Sequence, residues 1–354
     1  MSEKARNPAQ SWAAVRAPRP IVIFGAGSIV GDAHLPAYRM AGLPVAGIYD
    51  IDPERTAKVA AEWDITPFAS VDEAAAVPGA IFDLALPPVA HLDVLNRLPD
   101  GAAVLLQKPM GRNLEEATAI LDICRAKKLT AAVNFQLRFS PMMLAIHDLY
   151  RSGALGELVD VEMHANMMTP WDLWPFLKTM DRVEILLHSI HYLDLIRHFL
   201  GNPAGVHART MGHPLSTMAQ TRTSAILDYP DPVRAVLSIN HNHDFGPKFQ
   251  DCYFRFEGTR GVARTTLGVN LNYPKGVPDE LWFCAKGGEW QQIPLAGTWF
   301  PHAFVGVMSN LQRFVSGDDD RLVTSVEDAW NTMALVEAAY RSSASPATPI
   351  KERP

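Results

Sequence analysis

Between Ile21 and Phe135 five short apolar runs take turns with amphipathic stretches, and this alternation narrows the possible folds more than any other feature. The runs are Ile21–Phe24, Pro44–Tyr49, Ala80–Leu86, Ala102–Leu106 and Thr130–Phe135. Helical patterns fill the gaps near Val30–Met40, Pro53–Trp63, Val89–Leu98 and Leu114–Lys127. Strands that alternate with helices predict a parallel sheet covered on both faces. Nearly continuous apolar strands agree with that double covering.

After Phe139 the pattern changes. Helices are predicted over Pro141–Arg151 and Arg182–Leu200, with a strand at Leu158–Met168 between them. Strand candidates then follow one another directly: Gly205–Met211, Thr221–Tyr229, Val233–His241, Phe249–Glu257 and Val262–Leu267. Direct succession predicts a mostly antiparallel sheet. Helices near Pro301–Gly317 and Ser325–Ser342 close the pattern. The fold class read from this order is α/β: a Rossmann doubly wound parallel sheet over residues 20–139, then an α+β domain with an open, mostly antiparallel sheet over 140–343. Met1–Pro20 reads as a flexible leader, and the polar stretch Ser342–Pro354 as a loose tail.

Composition matters here for what it excludes. A chain of 354 residues accommodates two domains. Its net charge of −6, with no basic stretch, argues against nucleic acid or an anionic membrane as partner. No apolar run approaches the roughly 18 residues of a membrane span. Cys124, Cys252 and Cys284 lack CxxC spacing and read as free thiols in a reducing compartment, so a cytoplasmic location is expected.

The first strand runs into Gly25-Ala26-Gly27-Ser28-Ile29-Val30-Gly31. Gly25 permits the tight turn, and Gly27 lets backbone approach a pyrophosphate resting on the first amides of a helix, those of Ser28 and Ile29. Val30 stands where the usual third glycine would be, a position that serves helix–strand packing. A second strand ends at Asp50, about 20 residues on, where a carboxylate accepts both ribose hydroxyls of an adenosine and repels a 2′-phosphate. The expected cofactor is therefore NAD, with NADP less favoured although Arg55 is close by. Leu86, Pro87, Pro88 and His91 follow the third strand, where the nicotinamide ribose is expected to pass. Gln107 and Lys108 end the fourth strand. A lysine there points into the cofactor crevice, where an ammonium stabilises a developing alkoxide. Asn134, Gln136 and Arg138 follow the fifth strand at the domain junction, the first two as cofactor contacts and Arg138 as a substrate contact.

The segments GAGSIVGDAHLPAY, YDIDPER, LALPPVAH, LLQKP, NFQLRFSP and HSIHYLD together resemble the Gfo/Idh/MocA oxidoreductases over roughly residues 20 to 343. The resemblance implies hydride chemistry on sugars, inositols or related polyols. It also implies a second domain that binds substrate and builds homodimers or homotetramers. In QKP, Lys108 matches the family's active-site lysine, Gln107 replaces its glutamate, and Pro109 could follow a cis bond. In HSIHYLD, His191 matches the catalytic histidine and Asp194 the aspartate after it, while Leu187 stands where an earlier aspartate is usual. A neutral imidazole accepts a hydroxyl proton as hydride leaves the same carbon. His188 lies beside it as a substrate contact. Trp171 and Trp174 offer indole faces and N–H groups to a sugar, and Trp174 is taken as a substrate contact. His241, Asn242, His243 and Asp244 form a polar cluster at a strand end, either near substrate or in a turn. No metal site is expected, since HxxH differs from HExxH.

The leading expectation is an NAD(P)-dependent dehydrogenase of a sugar, inositol or sugar derivative. Two alternatives remain open: redox-neutral glycoside cleavage with NAD recycled, and a non-enzymatic dinucleotide-responsive sensor.

Overall fold

Ile21, Val22, Ile23 and Phe24 are all fully buried, so strand β1 (Ile21–Phe24) has no solvent face. It lies at the centre of a six-stranded sheet in a computed structural model that describes residues 7–273 and 275–350. The other strands are β2 (Val45–Tyr49), β3 (Thr66–Pro67), β4 (Ile81–Leu84), β5 (Ala103–Leu106) and β6 (Thr130–Val133). Their order is β3-β2-β1-β4-β5-β6 and every pairing is parallel. The sheet is the predicted doubly wound one. β3 went unread because two exposed residues carry no periodicity. The strand order reverses between β1 and β4, and in such sheets that point opens the ligand crevice.

The second sheet has eight strands: β7 (Leu158–Asn166), β8 (Gly205–Met211), β9 (Arg222–Asp228), β10 (Arg234–Asn240), β11 (Asp251–Gly258), β12 (Gly261–Thr266), β13 (Glu280–Ala285) and β14 (Gln291–Gln292). They run in the order β14-β13-β12-β11-β7-β10-β9-β8. All pairs are antiparallel except β7 with β10. Alternation along β9 buries Thr223, Ala225 and Leu227, with Ser224, Ile226 and Asp228 on the outer face. One side of this sheet therefore covers the core and the other is open.

The division near residue 140 describes chain order better than packing. The helix His302–Ser316 returns to the first sheet, where Phe304, Val307, Met308 and Leu311 join Ile21, Ile23, Ile81 and Leu105 in one apolar cluster. The closing helix Val326–Ala344 carries on through Ser342, which the sequence reading placed in a loose tail. Residues 7–19, expected to be a flexible leader, are also tied down. Gln10 bonds the backbone at Pro294 and Ala296, and Trp12 Nε1–H donates to Asp319 (2.8 Å). The Trp12 ring meets Phe139 edge-on, and Arg19 exchanges two hydrogen bonds with Gln312. A lone tryptophan among charged and proline residues gave no periodic signal for this strap. No helix among the described residues is long and apolar enough to cross a membrane.

Candidate active site at the domain junction

The glycine turn is built by backbone geometry. Gly25 has φ +101°, and a Cβ there would lie 2.4 Å from the Ala85 carbonyl oxygen, so only glycine fits. A Cβ at Gly27 would meet nothing within 4 Å, which leaves open space against the start of the following helix. Helix starts carry unpaired amides and a positive dipole end, so this cradle suits a pyrophosphate. Val30, counted with Gly25, Gly27, Ser28 and Ile29 among the expected cofactor contacts, is fully buried, and its side chain packs the helix on the strands.

Asp52 caps the helix Pro53–Trp63 through the amides of Glu54 and Arg55, which leaves Asp50 free of capping duty. Asp50 instead accepts from the amides of Ala26 (2.7 Å) and Asp52 (2.9 Å). Each carboxylate oxygen keeps a second lone pair. Beside it opens a cavity of ≈ 390 Å³ lined by Tyr49, Asp50, Ile51 and Phe68 among others. Ile51 is 91% exposed, an unusual cost for an apolar side chain unless a flat apolar group covers it. The Arg55 guanidinium reaches Asp50 and Asp52 only at 3.9 and 3.6 Å.

At the strand ends, Leu86 and Pro88 are half-buried and Pro87 is exposed. His91 lies fully buried behind them against the Leu86 backbone, and desolvation pushes it down to about 4. Gln107 Oε1 accepts from the Lys108 amide (3.2 Å), and the Lys108–Pro109 bond is cis. Asn134, Gln136 and Thr324 are buried and hold polar atoms without any protein partner. Buried polar groups are nearly always paired, so this group at the crevice fits a polar ligand such as a carboxamide. Thr324 was missed in the sequence, and only its backbone contact with Val133 brings it here.

Lys108 Nζ donates to the Leu187 carbonyl (2.8 Å), and burial lowers its ammonium to about 8. The acceptor comes from a local irregularity. Residues Glu184–Ser189 form a wide π-helical turn that runs straight into the helix Ile190–Leu200. A change from five-residue to four-residue hydrogen bonding skips one carbonyl, and such turns recur at functional sites. Leu187 has no carboxylate, but its main chain faces the lysine.

Lys108, His188 and His191 converge. Desolvation first, then the positive field of Lys108 and the neighbouring His188, holds His191 well below the usual imidazole range. Its ring is buried between Phe135 and Trp299, edge-on to both, and Nδ1 has no partner. His188 is lowered too, by desolvation, His241 and Lys108. Both imidazoles are thus neutral near pH 7 and can accept a proton.

Asp194 does not join them, though spacing put it on the same face. It takes two bonds from Arg138 (2.6 and 2.5 Å) and one from Thr332 (2.7 Å). Arg138 is also committed to Asp328 and the Val323 carbonyl. This corrects the substrate role expected of Arg138: its guanidinium clamps the histidine helix to the closing helix, because a buried carboxylate must be neutralised. Between the two indoles of the Trp171–Trp174 segment, Trp171 is the one on the histidines, 5.6 Å from His188 and 5.1 Å from His241. Its N–H is buried without a partner. Trp174 packs on Tyr273. Trp299, also buried with an unpaired N–H, was not singled out in the sequence because it follows no helical or strand pattern.

Family models match both halves of the chain. Residues 19–135 match the GFO_IDH_MocA model, described as an oxidoreductase family with an NAD-binding Rossmann fold. Residues 143–264 match the GFO/IDH/MocA C-terminal domain. A D-apiose dehydrogenase from Rhizobium rhizogenes is 24% identical over 323 residues, covering 86% of this chain and 89% of that protein. A UDP-N-acetylglucosamine 3-dehydrogenase from Acidithiobacillus ferrooxidans is 31% identical over 218 residues, 60% of this chain and 63% of its own. An oxidoreductase from Agrobacterium radiobacter, crystallised with NAD+, L-tartaric acid and magnesium, superposes with TM-score 0.75 at 22% identity, covering 93% of this chain and 97% of that one.

Proposed function

The chain belongs to the GFO/IDH/MocA oxidoreductases with an NAD-binding amino-terminal domain, and from that premise we propose that it is an NAD-dependent dehydrogenase oxidising a hydroxyl of a sugar, inositol or sugar derivative. The observation that carries this reading is the convergence of Lys108 with two neutral histidines at the mouth of the glycine crevice. The names of relatives that act on apiose and on UDP-N-acetylglucosamine support the substrate class.

NAD, when bound, supplies the hydride acceptor. The Gly25–Ile29 turn would hold its pyrophosphate, Asp50 a ribose, and the cavity at Ile51 and Phe68 its adenine. Asn134 and Gln136 offer unpaired polar atoms to the carboxamide end. Lys108 keeps N–H donors beyond the one spent on Leu187, enough to hold a substrate hydroxyl oxygen. His191, neutral and within the field of Lys108, takes the hydroxyl proton. The partly desolvated ammonium then stabilises the negative charge left on oxygen. Trp171 and Trp299 offer apolar faces and indole donors to a polyol, and together with His188 form the substrate side. A role in the cytoplasm and assembly into homodimers or homotetramers complete the proposal.

The test is a panel of sugars, inositols and glycosides followed at the NADH absorbance with NAD and NADP in parallel. The reading expects NADH released in step with product and a preference for NAD. Glycoside cleavage without net NADH, or no turnover of any polyol, would overturn it.

A further inference from the structure

Glu184 is wholly buried, and among the described residues no lysine or arginine lies within ion-pair distance of it. Its oxygens accept from Ser189 Oγ (2.6 Å) and Thr223 Oγ1, and Oε1 faces His241 Nε2 at 3.3 Å. The Ser189 bond spans five residues and so ties the wide turn to itself. The Thr223 bond fixes the same turn to β9. At the other end of the imidazole, His241 Nδ1 meets Thr169 Oγ1 at 2.7 Å. Both ring nitrogens are thereby engaged, and the ring has one stable orientation. That orientation sets its contact with His188, whose ring centre lies 4.4 Å away at 69°. Trp171 touches both imidazoles, so three rings wedge one another.

A buried carboxylate without a cationic partner is costly unless it serves something. Here the ionisable group within hydrogen-bond reach of it, among the described residues, is an imidazole that stands behind the histidine proposed to face substrate. We infer that Glu184 is the acidic positioning residue of this active site, acting through His241 on His188, and that it supplies from the turn before the histidine helix the negative charge that Leu187 lacks. The inference rests on the dehydrogenase reading only in so far as His188 meets substrate. Glu184 itself touches no substrate. It fixes the tautomer of His241 and, through that ring, holds the plane of His188.

The test is Glu184→Gln, which keeps the length and the acceptor oxygen for Ser189 and removes the charge. In the ligand-free protein, the imidazole 15N shifts of His241 and His188 are expected to move, with His241 changing tautomer. In turnover, kcat is expected to fall about tenfold to a hundredfold, the lower range for a misaligned acid–base group. KM for NAD and NADH binding by fluorescence are expected to hold. Thr169→Val, which spares the carboxylate, tests the same link if the glutamine variant does not fold, and it too is expected to shift the His241 signals. Unchanged imidazole signals in the folded variants would overturn the inference, as would unchanged kcat. A fall in kcat accompanied by lost NADH binding but fixed imidazole signals would also overturn it, since that marks a structural role. The resonance measurement needs no substrate, so failure of the polyol panel and failure of this inference are read separately.

Discussion

The two walls of the crevice are made of different materials. On the wall proposed for the cofactor, the framework is mostly backbone: the turn at Gly25, the open approach at Gly27, and the ends of β4, β5 and β6, with Asp50, Asn134 and Gln136 adding their side chains. On the wall proposed for the substrate, the working parts are side chains brought from distant places. Trp171 comes from the single helical turn Trp171–Leu173, Glu184, His188 and His191 from a helix and its first turn, His241 from just past the end of β10, and Trp299 from just before the helix His302–Ser316. A backbone-built wall tolerates change in most side chains but almost none in local geometry. A side-chain-built wall behaves the other way. Its substrate can change with few substitutions, while its histidines depend on partners tens of residues away.

The largest test of this contrast falls where the two walls meet, at Lys108 and His191. Lys108→Ala and His191→Ala are each expected to lower kcat/KM by about a thousandfold, within the range for losing an acid–base or charge-stabilising group. NADH binding, read by fluorescence, should survive in the histidine variant. Near-full turnover in either variant would break the contrast.

The next effect belongs to the cofactor wall. Gly25→Ala places a Cβ against the Ala85 carbonyl at a positive φ. Strain of this kind costs of order 1–3 kcal/mol, so NAD affinity is expected to drop about tenfold or more and the melting temperature to fall. Calorimetry with and without NAD checks it. A variant that binds NAD normally would mean that the turn is not the cradle.

The smallest effect is a change of shape in the pH profile. His191 is held well below its usual range, by desolvation first, so its protonation should put no acid limb on kcat/KM near neutral pH. Lys108, lowered to about 8, loses its ammonium as pH rises through that value, and activity should fall above it. The stability sign is the reverse. The folded site disfavours the charged lysine, so this cost is full below about pH 8 and is relieved between there and the unfolded value near 10.4. Lys108→Arg, which cannot deprotonate, should abolish the alkaline fall. A limb that stays near 8 in that variant would assign it to another group.

The same contrast explains what could be read from the amino-acid order. The parallel sheet, the glycine turn, Asp50 and Lys108 were legible because each is a local pattern: an apolar run, then a turn residue. The second sheet was legible to the extent that its strands alternate, as β8 and β9 do. β13 and β14 were not, since Glu280–Ala285 sits between irregular segments and Gln291–Gln292 is exposed and polar. Arg138 was misassigned because a charged residue at a domain junction looks the same whether it faces substrate or a buried Asp194. Glu184 carried no signal at all. Its meaning depends on Thr223 and His241, 39 and 57 residues further on. The wide turn that frees the Leu187 carbonyl is likewise invisible, because its hydrophobic spacing differs from a regular helix by one residue only.

The strap formed by residues 7–19 has a consequence for how the protein comes into being. Its partners, from Pro294 and Ala296 to Gln312 and Asp319, lie 284 to 307 residues further along the chain. At about 5–20 residues per second, the ribosome needs roughly 15 to 60 seconds between the two. Throughout that interval Trp12 has nowhere to dock, and the Phe139 face it later covers stands open. A segment made this early relative to its partners is settled late, and a nascent chain must keep that indole out of wrong company until the helix His302–Ser316 arrives.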